Sequence, residues 1–123
     1  MPSYINYNGM KTKTFLLLAA IFCLLLSACS DDTEYTYNYE VTGTAGRYGV
    51  TFQDKNDEVE LGGVVGNGWT YTWNQTGKRF MNIIAQSYEK EGSVTVSIYK
   101  NGKVIATDTQ SGEFATASVT GNY

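Results

Sequence analysis

The sequence predicts an all-β fold, an antiparallel β-sandwich of about seven to eight strands and immunoglobulin-like size, and three observations carry that prediction. Short segments alternating between apolar and polar residues recur at regular spacing from Tyr35 to the C-terminus. Turn chemistry separates them, at Gly43 to Gly46, Asp54-Lys55-Asn56-Asp57, Asn101-Gly102 and Ser111-Gly112. No helical periodicity follows Cys29, and the sole proline of the 123 residues is Pro2. Regularly spaced short strands of this kind stack as two sheets. A cysteine pair that could form an immunoglobulin-type disulfide is missing, so the architecture can be shared without the topology.

Taken in order, Tyr35, Tyr37, Tyr39 and Val41 alternate with Thr36, Asn38, Glu40 and Thr42, the mark of a half-buried strand. Tyr48 to Phe52 starts a second. Val59 and Leu61 form a short third strand, which Gly62-Gly63 is expected to stop. In the fourth, Trp69, Tyr71 and Trp73 face one way and Thr70, Thr72 and Asn74 the other. Phe80 to Tyr88 is apolar on both faces, as in a central strand covered on both sides. Ser93 to Asp108 reads as a hairpin turning at Asn101-Gly102, whose residue types accept the positive φ values of a type I′ turn. That turn pairs Tyr99 with Val104 and Ile98 with Ile105, and places Val94, Val96, Ile98 and Ile105 on the core face. Ala115, Ala117 and Val119 line the last strand.

The N-terminal segment is of a different kind. Lys11 and Lys13 form a positive region, Phe15 to Leu26 an apolar run, and Ser27-Ala28 a small-residue cleavage pattern. The run is short for a membrane span, which needs about 20 apolar residues. Leu26-Ser27-Ala28-Cys29 resembles a bacterial lipobox, which implies removal of residues 1–28 and acylation of Cys29. Met10-Lys11-Thr12-Lys13 looks like a complete start to such a leader, so translation is expected to begin at Met10. Ser30, Asp31, Asp32 and Glu34 resemble the surface-export signal of lipoproteins in the Bacteroidota. The resemblance implies a lipid-anchored protein of the outer membrane, on its cell-surface or periplasmic face. Residues 29–34 then form the lipidated cysteine and an acidic tether, and 35–123 the sandwich domain. Five extended tether residues reach at most about 17 Å, which keeps the domain close to its membrane.

Charge and composition exclude several functions. All 12 acidic residues follow Cys29, whereas Lys11 and Lys13 precede it. The mature domain therefore sets seven cations against twelve acids, a net charge of −5. Nucleic-acid binding calls for clustered Lys and Arg, so no nucleic-acid partner is expected. Histidine is absent and Cys23 leaves with the leader, so no Ser/His or Cys/His nucleophile pair can form. A small sandwich also offers little room for a substrate cleft. The chain is not expected to be an enzyme, and no cofactor is expected.

A further resemblance lies in the order of Tyr39-Glu40-Val41-Thr42-Gly43-Thr44, Ala85-Gln86, Gly92 to Tyr99, Asn101-Gly102-Lys103 and Ser118-Val119 with Gly121. These resemble the extracytoplasmic domain of the mycobacterial small membrane proteins, the MmpS family, over Tyr39 to Gly121. The resemblance implies a small β-sandwich serving as an accessory to RND-type transporters. Members of that family are held by an uncleaved transmembrane helix, whereas this chain carries a lipobox-like leader.

Candidate binding residues are aromatic. Trp69, Tyr71 and Trp73 could form a stacking platform for a sugar or a protein, as could Tyr35, Tyr37 and Tyr39. Inward-facing core packing is the competing role for both strips. Asp54, Asp57, Glu58 and Glu60 offer oxygen ligands but lack the glycine and terminal glutamate of a calcium-binding EF-hand loop, so a solvated turn is expected and no metal. Asn74-Gln75-Thr76 matches a glycosylation sequon and reads as a turn. Lys78-Arg79 reads as protection of a sheet edge. Together these features favour a non-catalytic envelope protein with an accessory or protein-binding domain, with a surface glycan- or ligand-binding module as the alternative.

Overall fold

The computed structural model describes residues 33–123. The leader, Cys29, Ser30, Asp31 and Asp32 lie outside the described residues. Eight strands follow: β1 (Glu34–Gly43), β2 (Tyr48–Gln53), β3 (Val59–Val65), β4 (Trp69–Thr76), β5 (Phe80–Ser87), β6 (Ser93–Lys100), β7 (Lys103–Ser111) and β8 (Thr116–Asn122). They form two four-stranded sheets, ordered β4-β1-β6-β7 and β3-β2-β5-β8, with every pairing antiparallel. The predicted β-sandwich is therefore present. Chain-order neighbours pair only at β2–β3 and β6–β7. A constant-type immunoglobulin domain has three such pairs, so the two-layer plan is common but the strand order is its own.

The alternation read from sequence decides which side chains enter the core. Tyr37, Tyr39 and Val41 of β1 are buried, as are Val94, Val96 and Ile98 of β6. They meet Val50 and Phe52 of β2, Met81, Ile83 and Ala85 of β5, and Ala117 and Val119 of β8. Burying one such large side chain stabilises by about 1.5–3 kcal/mol. With no disulfide in the domain, this packing carries the fold.

Three local expectations are corrected by register. A bulge between Ile98 and Tyr99 pairs Ile98 with Ala106, while Tyr99 still pairs with Val104. The extra residue, Ile105, is left exposed and does not join the core. Bulges place two residues opposite one, and sequence alternation cannot foresee the inserted one. Asn101 and Gly102 do adopt positive φ, +50° and +78°, as a type I′ turn requires. In β3, Gly62-Gly63 does not stop the strand. Val50 pairs with Gly63 and Thr51 with Leu61, so Gly62 is bulged and the strand runs on to Val65. Glu34, assigned from sequence to the tether, already pairs with Thr76 in β1.

The two long sides of the sandwich close differently. On the β7/β8 side, the Asp108 carboxylate accepts the main-chain N–H of Ser118 at 3.0 Å, stitching one sheet to the other. The β3/β4 side is filled by rings, with Phe52 4.7 Å from Tyr71 and 5.2 Å from Trp69, centroid to centroid.

Candidate functional site

The aromatic strips face inward. Trp73 is buried, stacked on Tyr37 at 5.8 Å and tilted against Tyr39 at 4.8 Å. Its indole N–H donates to Gln75 Oε1 at 2.7 Å, which satisfies its polar atom without a ligand. Trp69 and Tyr71 are half-buried on the same core side of β4, while Thr70, Thr72 and Asn74 point outward. The three do not form an outward platform. Tyr37 and Tyr39 are likewise core residues, and Tyr35 is half-buried beneath the Lys100 ammonium, 4.0 Å from its ring. Among the described residues no buried side-chain polar atom lacks a partner, so nothing polar in the interior awaits a ligand.

The acidic turn is organised around Asp54. Its carboxylate accepts the main-chain N–H groups of Asn56 at 2.8 Å and Glu58 at 3.0 Å. These bonds, the Glu58 one foremost, hold its pKa below the ordinary carboxylate value. Carboxylate oxygens of Asp54, Glu58 and Glu60 lie within 4.8 Å of one another. Hydrogen bonding to Asp54 raises the pKa of Glu60, so a proton sits most readily between those two. Asp57 turns away from the cluster to pair with Arg79. The same guanidinium donates to the main-chain oxygens of Lys55 at 2.6 Å and Asp54 at 3.2 Å. Arg79, read from sequence as edge protection, is therefore the clasp of this turn. Asn74 of the sequon lies within β4 rather than in a turn, and its side-chain oxygen accepts the Thr36 hydroxyl at 2.9 Å.

The outer faces of the two sheets differ in kind. On the β4-β1-β6-β7 sheet the outward side chains of β4, β1 and β6 are threonine, serine, asparagine and one tyrosine–glutamate pair, while at the β7 edge Val104, opposite Tyr99, and the bulged Ile105 are exposed. Thr95 bonds Thr109 at 2.7 Å, Ser97 bonds Thr107 at 3.0 Å, and the Tyr99 hydroxyl donates to Glu40 at 2.9 Å. That face is mainly hydroxyl and amide, with its exposed apolar side chains at the bulge of β7.

The outer face of the β3-β2-β5-β8 sheet carries exposed apolar side chains on β3 and β5, while β8 turns Thr116, Ser118 and Thr120 outward. Leu61 is 81% exposed, Val64 59%, Tyr88 48%, Phe80 44% and Ile84 37%. Sequence reading expected Phe80 and Ile84 to be covered by a second layer. Among the described residues none covers them, because these residues form two sheets that both turn their other faces to one core.

A groove of about 340 Å³ crosses this face, walled by Leu61 and Val64 on one side and Ile84 and Tyr88 on the other. Its floor is β2, where the outward positions are Gly49 and Thr51. Gly49 is what makes room. A Cβ there would lie 2.8 Å from the Tyr88 hydroxyl, so the phenol ring can lie down over β2 only because the side chain is missing. Sequence signals for this site existed, in the two-sided apolar pattern of β5 and in Leu61 beside a glycine pair. Neither says which strands lie side by side. Neither a comparison with protein-family models nor one with curated proteins finds a match to this chain.

Proposed function

We propose that this chain is a lipid-anchored cell-envelope protein whose sandwich is non-catalytic and binds another protein through the outer face of the β3-β2-β5-β8 sheet. The observation that carries the reading is the contrast between the two outer faces. One is mainly hydroxyl-bearing, with exposed apolar side chains only at Val104 and Ile105 of β7, and the other exposes Leu61, Val64, Ile84 and Tyr88 around a groove. Contiguous exposed apolar surface on a small domain marks an interaction site. Covering it removes apolar area from water, which drives association.

The lipobox-like leader places the domain at an envelope membrane, and the short tether keeps it there. The likeness to the mycobacterial small membrane proteins names an RND-type export complex as the class of partner, by analogy of fold rather than of site. A glycan-binding role rested on the tryptophans, and Trp73 is committed to the core.

Photo-crosslinking in intact cells tests the reading. A crosslinker in place of Ile84 should capture a discrete protein adduct, and one in place of Thr72 on the opposite sheet should not. Equal capture from both positions, or none from Ile84, overturns it.

A further inference from the structure

We propose that Phe114 is the aromatic anchor of the partner contact, a ring that the fold holds ready on a strained backbone and that enters an apolar pocket of the partner protein. The inference rests on the protein-binding reading above and names the residue that dominates that contact.

Among the described residues, three that are not glycine have positive φ: Asp57 at +63°, Asn101 at +50° and Phe114 at +48°. Aspartate and asparagine suit the left-handed region, because a short polar side chain can bond nearby. Asp57 does so with Arg79, and Asn101 accepts the main-chain N–H of Thr36 at 2.9 Å. Phenylalanine has no such compensation, and a bulky residue in this region is a steric outlier. Nor does the ring build the core in return. It is 43% exposed and lies outside the cluster of packed core side chains.

The surroundings fix this conformation. The Phe114 N–H donates to the Glu89 main-chain oxygen at 3.0 Å, and Ser87 N–H donates to the oxygen of Ala115 at 2.9 Å. The Phe114 carbonyl accepts Gln86 Nε2 and the Thr116 hydroxyl, each at 3.4 Å. A strained residue persists only where its neighbours over-determine it, and such residues cluster at functional sites. Gln86 and Thr116 both line the groove, so Phe114 stands at the groove's end and continues the proposed contact surface. This is also the end of the sandwich away from the start of β1. Thr44, just past β1, donates its N–H to the Ser93 oxygen at 3.1 Å, and Gly112 N–H donates to the Gly92 oxygen at 3.0 Å. A large ring on a backbone already ordered has the build of a binding hot spot, since little freedom is left to lose on association.

The adduct formed in intact cells by the crosslinker at Ile84 supplies the readout. Phe114→Asn keeps a residue suited to positive φ and removes the ring. It should lower that adduct by about ten-fold or more. The purified full chain in detergent should still melt within about 4 °C of the parent, relief of the strain offsetting the contacts the ring loses. Phe114→Tyr keeps the ring and should restore the adduct. An adduct unaltered by Phe114→Asn, or lost equally in Phe114→Tyr, overturns the proposal. So does a fall in melting temperature as large as that of Ile83→Ala, which would make Phe114 a structural residue. Should Ile84 capture nothing, a crosslinker in place of Phe114 decides. A discrete adduct there, absent from Thr72, keeps the anchor without the sheet-face reading, and no adduct removes both.

Discussion

The Tyr39 hydroxyl donates a hydrogen bond to the main-chain oxygen of Gln53 at 2.8 Å, joining β1 in one sheet to the end of β2 in the other. The tie runs through the core, where the Tyr39 ring meets Phe52 edge-on at 5.9 Å. Burial pushes the Tyr39 phenol up to about 12. The folded state therefore holds the neutral phenol more tightly than the unfolded chain does. Its contribution is fully present below pH 10 and is lost as pH rises toward 12. Tyr39→Phe should cost about 1 kcal/mol, lowering the melting temperature by about 4–8 °C, and should flatten the alkaline decline. Denaturant midpoints measured across pH 9 to 12 check both.

The tryptophans differ in surroundings. Trp73 is 5% exposed, whereas Trp69 stands half-buried at the β3/β4 opening. Trp69→Phe leaves Trp73 as the single tryptophan, and its emission under tryptophan-selective excitation should be blue-shifted and resistant to a soluble quencher. Red-shifted, quenchable emission would show that Trp73 faces solvent.

Ile83 and Ile84 are chain neighbours on opposite faces of β5. Ile83 is fully buried and Ile84 is 37% exposed. Ile83→Ala should cost about 2–5 kcal/mol, because it removes packed methyl groups and leaves a cavity. Ile84→Ala should cost about 1 kcal/mol or less. Thermal denaturation of the two variants side by side measures the difference, and equal losses would mean that both faces of β5 are covered.

Asp54 and Glu60 pull stability in opposite directions with pH. The depressed pKa of Asp54 adds stability above its ordinary range, which is lost as pH falls through the folded value. The raised pKa of Glu60 adds stability below its ordinary range, which is lost as pH rises through the folded value. Glu60→Gln keeps the proton-bearing form at every pH. Through the carboxylate range its stability should therefore rise more steeply with pH than that of the parent. Urea midpoints through the acid range read this directly.

How far the sequence carried is clearest strand by strand. Alternation in β6 and β8 placed Val94, Val96, Ala117 and Val119 inside, and the structure buries all four. Alternation failed where an extra residue shifts the phase, at Ile105 and at Gly62, since a bulge is set by the partner strand as much as by its own sequence. The inward direction of Trp69, Tyr71 and Trp73 was equally invisible, because a strip of rings looks the same whether it faces core or solvent. The groove was the least legible of all, being made by Leu61 of β3, Gly49 of β2 and Tyr88 in the bend after β5.

By itself, then, the sequence determined that the chain folds as short antiparallel strands, where most of them turn, and which residues share a face. Period-two patterning and turn chemistry are local, and local physics suffices for them. Only the tertiary structure decided that β1 lies between β4 and β6, and that β5 is central yet open on its outer side. Those outcomes depend on pairings between distant segments and on whether a further layer exists to cover an apolar face. No window of sequence contains that information, because the free energy that settles it comes from burying several strands against one another at once.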